Sequence, residues 1–329
     1  MRKFKAFRIF DDSDVVAGRI VEMDIDSLDK GDILIQVKYS SVNYKDALAA
    51  TGMGRIIRRF PCNGGIDLAG IVIESEDPSY KSGDEVIATS YGIGVDHDGG
   101  YSELARIPSK WVLPMPLGMS MYESMCFGTA GLTAAMAVQR LEANGVSPHS
   151  GPVIVTGATG GVGSIAIDIL SGQGFDVTAL TGKRDEEEYL KSLGAKEVLY
   201  RQDLNLEKIK PLGKEIWAGA IDNLGGEVLS LITTQMRWGG AVSVIGLASS
   251  SKFNVTVLPF ILRNVSVLGI DSVNAPFELR KESWTRLASR YKPKNIDNAV
   301  SIISLEDLND TFTTMMEGRI KGRKVVKFD

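Results

Sequence analysis

The sequence predicts an α/β protein in which a smaller, β-rich domain precedes a doubly wound parallel sheet. Two observations predict this arrangement: short apolar or alternating runs fill the first third of the chain, and strand-like and helix-like segments alternate after residue 150. A third is a glycine-rich turn between one of these strands and the helix after it. The length of 329 residues fits about two domains.

The first third reads as β-structure punctuated by Gly, Pro and Asp turns, and it ends at the proline-rich run from Leu113 to Gly118. A helix is predicted from Ser120 to about Asn144, since Glu123 follows Ser120 at the spacing of a capping box. The boundary is therefore placed between residues 119 and 120. The predicted strands are FKAFRIF, GDILIQVKYSSVN, AGIVIE and DEVIAT.

The second half alternates strands and helices, which favours a doubly wound parallel sheet. From about Asn298 the chain reads as strand, helix and strand, and the last strand is expected to return to the first domain. The predicted domains are residues 1–119 with 298–329, and residues 120–297. The segments are PVIVTG, GGVGSIAIDILSGQG, DVTALTG, DEEEYLKSLGA, EVLY, WAGAIDNL, GAVSVIGL and VSVLGID.

The turn Gly157-Ala158-Thr159-Gly160-Gly161-Val162-Gly163 has the context of a dinucleotide-binding fingerprint, with Ala158 at the first glycine position. Gly160 would let the backbone approach a pyrophosphate, and the N–H groups at the start of the helix would face the anion. The alternative is a tight strand–helix turn without a ligand. The predicted cofactor contacts here are Ala158, Thr159, Gly160, Gly161 and Val162.

The end of the next strand indicates which nicotinamide cofactor is bound. Thr181, Lys183 and Arg184 stand where an acidic residue would bind the ribose hydroxyls of NAD, so the sequence predicts NADPH. Alternatively, the two cations are solvated loop charges. Ligands of open α/β sheets bind at the carboxyl ends of strands, which adds Asn223, Gly246, Leu247, Ile270 and Ser272 as predicted cofactor neighbours.

Composition excludes several classes of protein. The formal net charge of −4 gives no basic excess, so no nucleic-acid partner is expected. Apolar runs fall short of the ~20 residues that span a bilayer, so no membrane partner is expected. Cys62 and Cys126 are too few for a disulfide framework and indicate a reducing, cytoplasmic location. His97 and His149 are expected to be solvated surface residues.

Several separated motifs agree on one family. They include Asn43-Tyr44-Lys45-Asp46, Gly128-Thr129-Ala130-Gly131, the glycine turn and Leu268-Gly269-Ile270-Asp271-Ser272-Val273. With them the whole chain resembles the medium-chain dehydrogenase/reductase superfamily, in its zinc-independent quinone oxidoreductase and acryloyl-CoA reductase branch (YhdH/YhfP type). The resemblance implies a GroES-like β-barrel domain built from both chain ends, an inserted Rossmann domain, and an active site in the cleft between them.

The same resemblance argues against a metal site, because zinc-dependent relatives have a Cys where this chain has Asn43 and a His where it has Ile66. It implies that Asn43 orients or donates near the nicotinamide and that Tyr44 donates a hydrogen bond or proton to the substrate. Tyr44 as a wall of the pocket is the alternative. Thr129 and Thr133 resemble cofactor contacts, with ordinary helix hydroxyls as the alternative, and Arg323 is expected near the cofactor phosphates or in solvent.

The expected reaction is NADPH-dependent reduction of an activated C=C bond by hydride transfer to the β-carbon. Arg55, Arg58 and Arg59 form a basic cluster suited to the phosphates of a coenzyme A thioester, unless they are a solvated loop. The resemblance favours acryloyl-CoA or another short 2-enoyl-CoA. An NADPH:quinone oxidoreductase and a non-catalytic NADPH-binding protein are the alternatives. We expect a homodimer that pairs through the apolar strand VSVLGID.

Overall fold

A computed structural model describes residues 3–13 and 15–329, and it divides the chain into two units. Unit 1 contains the described residues up to Thr129, together with Val273–Ala288 and Val300–Asp329. Unit 2 contains Ala130–Ser272 and Ser289–Ala299.

Unit 1 is built on antiparallel β-structure. Over its described residues it contains a three-stranded sheet in the order β2-β1-β4 and a seven-stranded sheet in the order β15-β16-β3-β5-β6-β8, with β7 paired to β3. Its strands are β1 (Lys3–Asp12), β2 (Val15–Asp24), β3 (Ile33–Ser41), β4 (Cys62–Asn63), β5 (Asp67–Ser75), β6 (Glu85–Thr89), β7 (Leu104–Ile107), β8 (Val112–Pro114), β15 (Val300–Ile303) and β16 (Arg323–Lys327). Its helices are α1 (Tyr44–Thr51), the first part of α2 (Met121–Ala143), α7 (Phe277–Leu287) and α8 (Leu308–Met316).

The apolar residues of β1 change from one face of the strand to the other between Ala6 and Phe7, so both faces are buried. Successive side chains of a strand point to opposite sides. Phe4 and Ala6 pack in one apolar cluster with Leu34, while Phe7 and Ile9 pack in the other. The β1 strand therefore lies between two cores.

The C-terminal segment returns to unit 1, as the sequence predicts. The residues of β16 pair antiparallel with β3, with Val325 opposite Ser41 and Val326 opposite Ser40. Parallel pairing of β15 with β16, through the crossover that contains α8, completes the predicted strand, helix and strand. This pairing places Arg323, the first residue of β16, beside the β3–α1 turn.

Unit 2 is a six-stranded sheet whose strands all pair in parallel, in the order β11-β10-β9-β12-β13-β14. Numbered along the sheet-forming segment, this is the 3-2-1-4-5-6 order of a doubly wound dinucleotide-binding fold, and its direction reverses between β9 and β12. The elements are β9 (Val153–Thr156), α3 (Gly161–Gly172), β10 (Val177–Thr181), α4 (Glu187–Ser192), β11 (Glu197–Tyr200), β12 (Trp217–Asp222), α5 (Gly226–Thr234), β13 (Met236–Val244), α6 (Leu258–Arg263) and β14 (Ser266–Gly269).

Helix α2 begins as the sequence predicts, because the Ser120 N–H donates to the Glu123 carboxylate (2.9 Å) and the Glu123 N–H donates to the Ser120 hydroxyl (3.2 Å). A break at Gly128, where φ is 53°, was not expected. The division between the units falls next to this break, ten residues after the predicted boundary. Residues 273–288 also differ from the predicted boundaries, since they belong to unit 1.

Across residues 3–13 and 15–329, we find no helix with the length and apolar character needed to cross a membrane.

Candidate active site

Asp67 is the centre of a buried polar network in unit 1. Its side chain is completely buried, and one carboxylate oxygen accepts hydrogen bonds from the Ser41 hydroxyl (2.6 Å), the Asn43 amide (2.7 Å) and the Thr129 backbone N–H (2.8 Å). The Thr129 hydroxyl donates to the other oxygen. Asp67 therefore orients two residues, Asn43 and Thr129, that the sequence assigns to the cofactor site.

The Asn43 side chain is held at both of its polar atoms. Its Nδ2 group donates to Asp67, and its Oδ1 atom accepts a hydrogen bond from Arg323 (3.3 Å). A carboxylate only accepts and a guanidinium only donates, so the two partners fix which end of the amide is oxygen. Asn43 is also mostly buried, and it precedes the first residue of α1.

Arg323 lies inside this network. The guanidinium is 3% exposed and donates to the Cys126 and Val42 carbonyls, the Ser41 hydroxyl and Asn43. Burial lowers the pKa of Arg323, while the charge of Asp67 raises it. The expectation of a solvated C-terminal charge is wrong, because β16 pairs with β3 and carries Arg323 into the interior. These hydrogen bonds are the observed role of its donors, and a cofactor-phosphate contact stays a prediction.

Asp46 and Tyr101 extend the network beneath Asn43. The Asp46 carboxylate accepts hydrogen bonds from the backbone N–H groups of Asn43 (2.9 Å) and Ile66 (3.0 Å). Burial, with the nearby charge of Asp67, raises the pKa of Asp46 from 3.8 to about 7. Burial beside Asp46 also raises the pKa of Tyr101 well above 10. The Asp46 carboxyl therefore holds a proton more readily than an ordinary aspartate does.

Gly128 permits the close approach of this network to α2. Its φ of 53° is in the left-handed region, which side chains other than glycine rarely adopt. A Cβ atom at this position would lie 2.5 Å from an Asp67 carboxylate oxygen and 2.8 Å from an Arg323 nitrogen. The break directs the next residue, Thr129, toward Asp67.

Tyr44 is 49% exposed at the start of α1, next to the buried Asn43. Its ring is therefore accessible for the contact with substrate that the resemblance implies.

Of the three exposed arginines that follow α1, Arg58 pairs with Asp96 (3.3 Å) and Arg59 with Asp29. Within the part of the chain that the structure describes, no ion pair of the third, Arg55, is found.

The glycine turn of unit 2 has the predicted strand–turn–helix form. Gly160 caps α3, and residues 160–162 at the start of this helix are partly exposed, whereas Ala158 and Thr159 are buried. A Cβ on Gly163 would lie 2.5 Å from the Gly157 carbonyl oxygen, so glycine is required there for the helix to pack on the turn. The first N–H groups of the helix are suited to an anion.

The carboxyl ends of β9 and β12 are tied together at the point where the sheet order reverses. The Thr156 hydroxyl donates to Asp222 (2.7 Å), and the Asn223 amide donates to the Thr156 carbonyl (2.7 Å). The Gly246 backbone packs against Asn223, which follows β12. A Cβ on Gly246 would lie 2.5 Å from the Asn223 carbonyl oxygen. The structure thus brings Asn223 and Gly246 together.

The residues after β10 are organised around Arg184. Its guanidinium pairs with Asp203 and lies 4.6 Å from the centre of the Tyr200 ring. The Thr181 hydroxyl accepts a hydrogen bond from the Lys183 backbone N–H (3.0 Å). Sequence reasoning did not select Tyr200, the last residue of β11, or Asp203, which follows this strand.

Thr133 and Ser272 are both buried and their hydroxyls are 2.7 Å apart, although 139 residues separate them in the chain. Two predicted cofactor contacts therefore meet within unit 2. Ile270 is partly exposed and its N–H donates to the Val244 carbonyl (3.0 Å). Leu247 is 67% exposed.

Among the residues that the structure describes, no group of side chains fits a zinc site. A catalytic zinc needs about three protein ligands, and no group of three or more His, Cys, Asp or Glu side chains is arranged to hold a metal within residues 3–13 and 15–329. Cys62 and Cys126 are buried free thiols, and burial raises the pKa of Cys62 to about 12.

The expectation of a surface His97 is wrong, because its ring lies between the carbonyls of Lys30 and Asp98 (both 3.0 Å).

Two family models match the chain. The model described as "Alcohol dehydrogenase GroES-like domain" matches residues 29–117, and the one described as "Zinc-binding dehydrogenase" matches residues 161–290. The first covers much of unit 1 and the second much of unit 2.

Similar proteins and structures cover nearly the whole chain. The "Putative quinone oxidoreductase YhfP" of Bacillus subtilis is 46% identical over 98% of both chains. The "Acrylyl-CoA reductase AcuI" of Ruegeria pomeroyi is 40% identical over 93% of both. The yhdH oxidoreductase of Salmonella enterica in complex with NADP superposes with a TM-score of 0.96 at 41% identity, over 99% of this chain and 100% of that one. Bacillus subtilis yhfP with NAD bound gives 0.97 at 44% identity over 100% of both.

Proposed function

The chain belongs to the medium-chain dehydrogenase/reductase superfamily, in the quinone oxidoreductase and acrylyl-CoA reductase branch, and from this premise we propose that it is an NADPH-dependent reductase of short 2-enoyl-CoA thioesters. It is an oxidoreductase, as its relatives are. The observation that carries the proposal is the Asp67 network, which holds the Asn43 amide and Thr129 in fixed orientations. Acrylyl-CoA is the favoured substrate, because relatives 40–45% identical are named for its reduction.

Unit 2 supplies features that suit a nicotinamide dinucleotide. The N-terminus of α3 provides N–H groups for the pyrophosphate, and the site at the ends of β9 and β12 lies at the reversal of the sheet order. Lys183 and Arg184 provide positive charge for the 2′-phosphate of NADPH. Two yhdH structures contain NADP or NADPH and the yhfP structure contains NAD, so for this chain the NADPH preference rests on these two cations.

The proposed reaction needs correct alignment and stabilisation of negative charge. Bound NADPH supplies a hydride, and an alkene conjugated to a carbonyl accepts it at the β-carbon, which leaves an enolate. Hydrogen-bond donors held in place before the reaction stabilise such an oxyanion most effectively. Asn43 is the donor that the protein orients most firmly, because Asp67 and Arg323 fix both polar atoms of its amide.

Tyr44 is proposed to complete the reaction. The hydroxyl of this exposed residue would donate a hydrogen bond to the enolate oxygen or return a proton to the substrate. A Tyr44→Phe variant keeps the ring and removes this donor. We expect a roughly 10²-fold lower kcat for crotonyl-CoA with little change in KM, whereas unchanged turnover would leave Tyr44 as a wall of the pocket.

The proposed contacts with coenzyme A are Arg55, Arg58 and Arg59. Since Arg58 and Arg59 already pair with carboxylates, Arg55→Ala should raise the KM for the thioester most among the three single variants. A variant with all three changed to Ala should lose thioester turnover and retain quinone turnover. Equal loss of both activities would show that the cluster does not recognise coenzyme A.

Reduction of quinones is the second candidate, because YhfP, 46% identical, is named as a putative quinone oxidoreductase. The deciding experiment follows NADPH absorbance with EDTA-treated protein and compares catalytic efficiency for acryloyl-CoA, crotonyl-CoA and a simple quinone. A preference of more than about tenfold for a thioester supports the proposal. Turnover of the quinone only would favour the second candidate, and tight NADPH binding without turnover would indicate a non-catalytic protein.

We also propose a homodimer formed through β14. This strand is at the edge of the unit 2 sheet, and α6 and β14 expose the apolar side chains of Ile261, Leu262 and Val267. An exposed edge strand is a template for pairing with another chain. Light scattering should give a dimer at micromolar concentration and a monomer for Val267→Lys. A monomeric wild type would contradict the proposal.

Because both cysteines are buried free thiols, we propose a reducing, cytoplasmic location.

A further inference from the structure

The turn after β6 has an unfavourable backbone conformation that a buried arginine maintains. Ser90 and Tyr91 have φ values of 62° and 53°, in the left-handed region that residues with a Cβ rarely occupy. Two consecutive residues of this kind cost stability, and such conformations persist only where surrounding contacts hold them. Ser90 is 1% exposed, so solvent does not explain the conformation.

Arg280, on α7, supplies those contacts. It is 1% exposed, and one guanidinium nitrogen donates to both the carbonyl and the hydroxyl of Thr89 (3.0 Å each). The guanidinium carbon is 4.1 Å from the centre of the Tyr91 ring. Arg280 therefore contacts the residues on either side of Ser90.

Ser90, the residue between these two contacts, is hydrogen-bonded to a member of the Asp67 network, Thr129. Its hydroxyl oxygen is 2.8 Å from that of Thr129. A hydroxyl has one proton, and Thr129 gives its proton to the Asp67 carboxylate. At the contact with Ser90 the Thr129 oxygen must therefore accept, and Ser90 must donate. The hydrogen bonds run in one direction, from Ser90 to Thr129 to Asp67.

We propose that the Ser90–Tyr91 turn, held by Arg280, positions Thr129 for the cofactor: the Ser90 hydroxyl donates to the Thr129 oxygen and, together with Asp67, holds the Thr129 hydroxyl in place. This inference deepens the proposed function and rests on the proposed contact of Thr129 with NADPH. Ser90 and Arg280 act through Thr129 and are positioning residues.

The test is a double-mutant cycle on NADPH affinity, measured by fluorescence with purified protein. Ser90→Ala should weaken NADPH binding roughly fivefold, the effect of one lost hydrogen bond. Thr129→Val should weaken binding at least as much, and Ser90→Ala should have no further effect when Thr129 is already Val. Ser102→Ala is the matched control, because Ser102 is also fully buried and donates to a backbone carbonyl, that of Leu104.

The cycle distinguishes positioning from a loss of stability. Melting temperatures of Ser90→Ala and Ser102→Ala should agree, while only Ser90→Ala changes the Kd for NADPH. The proposal would be overturned if the effects of Ser90→Ala and Thr129→Val on the Kd for NADPH were fully additive. It would also be overturned if Ser90→Ala and Ser102→Ala bound NADPH with equal affinity. Arg280→Lys should also weaken NADPH binding, and it should have no further effect when Thr129 is already Val.

The result also separates this inference from the proposed reaction. If the wild type binds NADPH but reduces neither thioesters nor a quinone, the proposed reaction is wrong and the cycle in Kd still decides the role of Ser90. If the wild type does not bind NADPH, both proposals are overturned.

Discussion

Asp46 should make the protein less stable as the pH rises from about 4 to about 7. Its pKa in the folded protein is raised from 3.8 to about 7, so in this range the folded chain retains a proton that the unfolded chain has released. Unfolding then releases a proton, and a higher pH favours it. Above pH 7 both states are ionised and this contribution is constant.

The size of the effect follows from the two pKa values. Each tenfold change in proton affinity is worth about 1.4 kcal/mol, so a pKa rise from 3.8 to about 7 corresponds to about 4 kcal/mol in total. Between pH 5 and pH 8, roughly 2–3 kcal/mol of this should be lost from the wild type. An Asp46→Asn variant cannot ionise and should not show this loss.

The assay is urea unfolding of both proteins at pH 5 and pH 8, followed by tryptophan fluorescence and circular dichroism. The difference in unfolding free energy between wild type and variant should change by roughly 2–3 kcal/mol between the two pH values. Hydrogen bonds lost in the variant affect both pH values equally and cancel. Asp310→Asn, at an exposed position on α8, is the control and should parallel the wild type. If Asp46→Asn also parallels the wild type, Asp46 is not protonated in the folded protein near neutral pH.

Three further predictions concern the network and the cofactor. Asp67→Asn leaves a buried arginine without its counter-charge and should lower the unfolding free energy by about 3–5 kcal/mol in urea; a loss below about 1 kcal/mol would contradict the account of the network. Gly128→Ala should cost about 2–4 kcal/mol in the same assay, clearly more than Gly118→Ala, where φ is also positive (80°) but a Cβ meets nothing within 4 Å. Similar costs for the two would mean that the close approach at Gly128 is unimportant. Replacing Lys183 and Arg184 by Ala should weaken NADPH more than about tenfold and NADH less than about twofold in fluorescence titrations; equal losses would place the 2′-phosphate contact elsewhere.

The sequence predicted those elements that local patterns determine, but among others it did not indicate β2, α1, α5, α6 or α7. Alternating apolar residues identified β1, β3, β5 and β6, and the glycine turn identified the start of α3. The parallel pairing of the unit 2 strands followed from the alternation of strands and helices, whereas their order in the sheet was not predicted. These features depend on residues that are close together in the chain, where periodicity and turn residues are informative.

The buried network could not be predicted in this way, since its members come from separated segments. Asn43 and Asp67 are 24 residues apart, and Arg323 follows Asn43 by 280. They meet because β3 pairs with both β5 and β16, in registers that no local pattern indicates. The motif around Asn43 was visible in the sequence, but the partners that orient its amide were not.

The free energy needed to bury this network indicates that it has a role beyond stabilising the fold. A buried arginine and carboxylate are expensive to desolvate, and apolar residues of similar size often stabilise a protein as well or better. Hydrogen bonds, unlike apolar contacts, have direction: Arg323 donates to the oxygen of Asn43, Asp67 accepts from its nitrogen, and Thr129 can only accept where Ser90 meets it. A site that must present a donor and an acceptor in fixed orientations needs that direction. These five side chains together support a binding site, and losing any one of them should affect cofactor or substrate binding more than its own contacts would suggest.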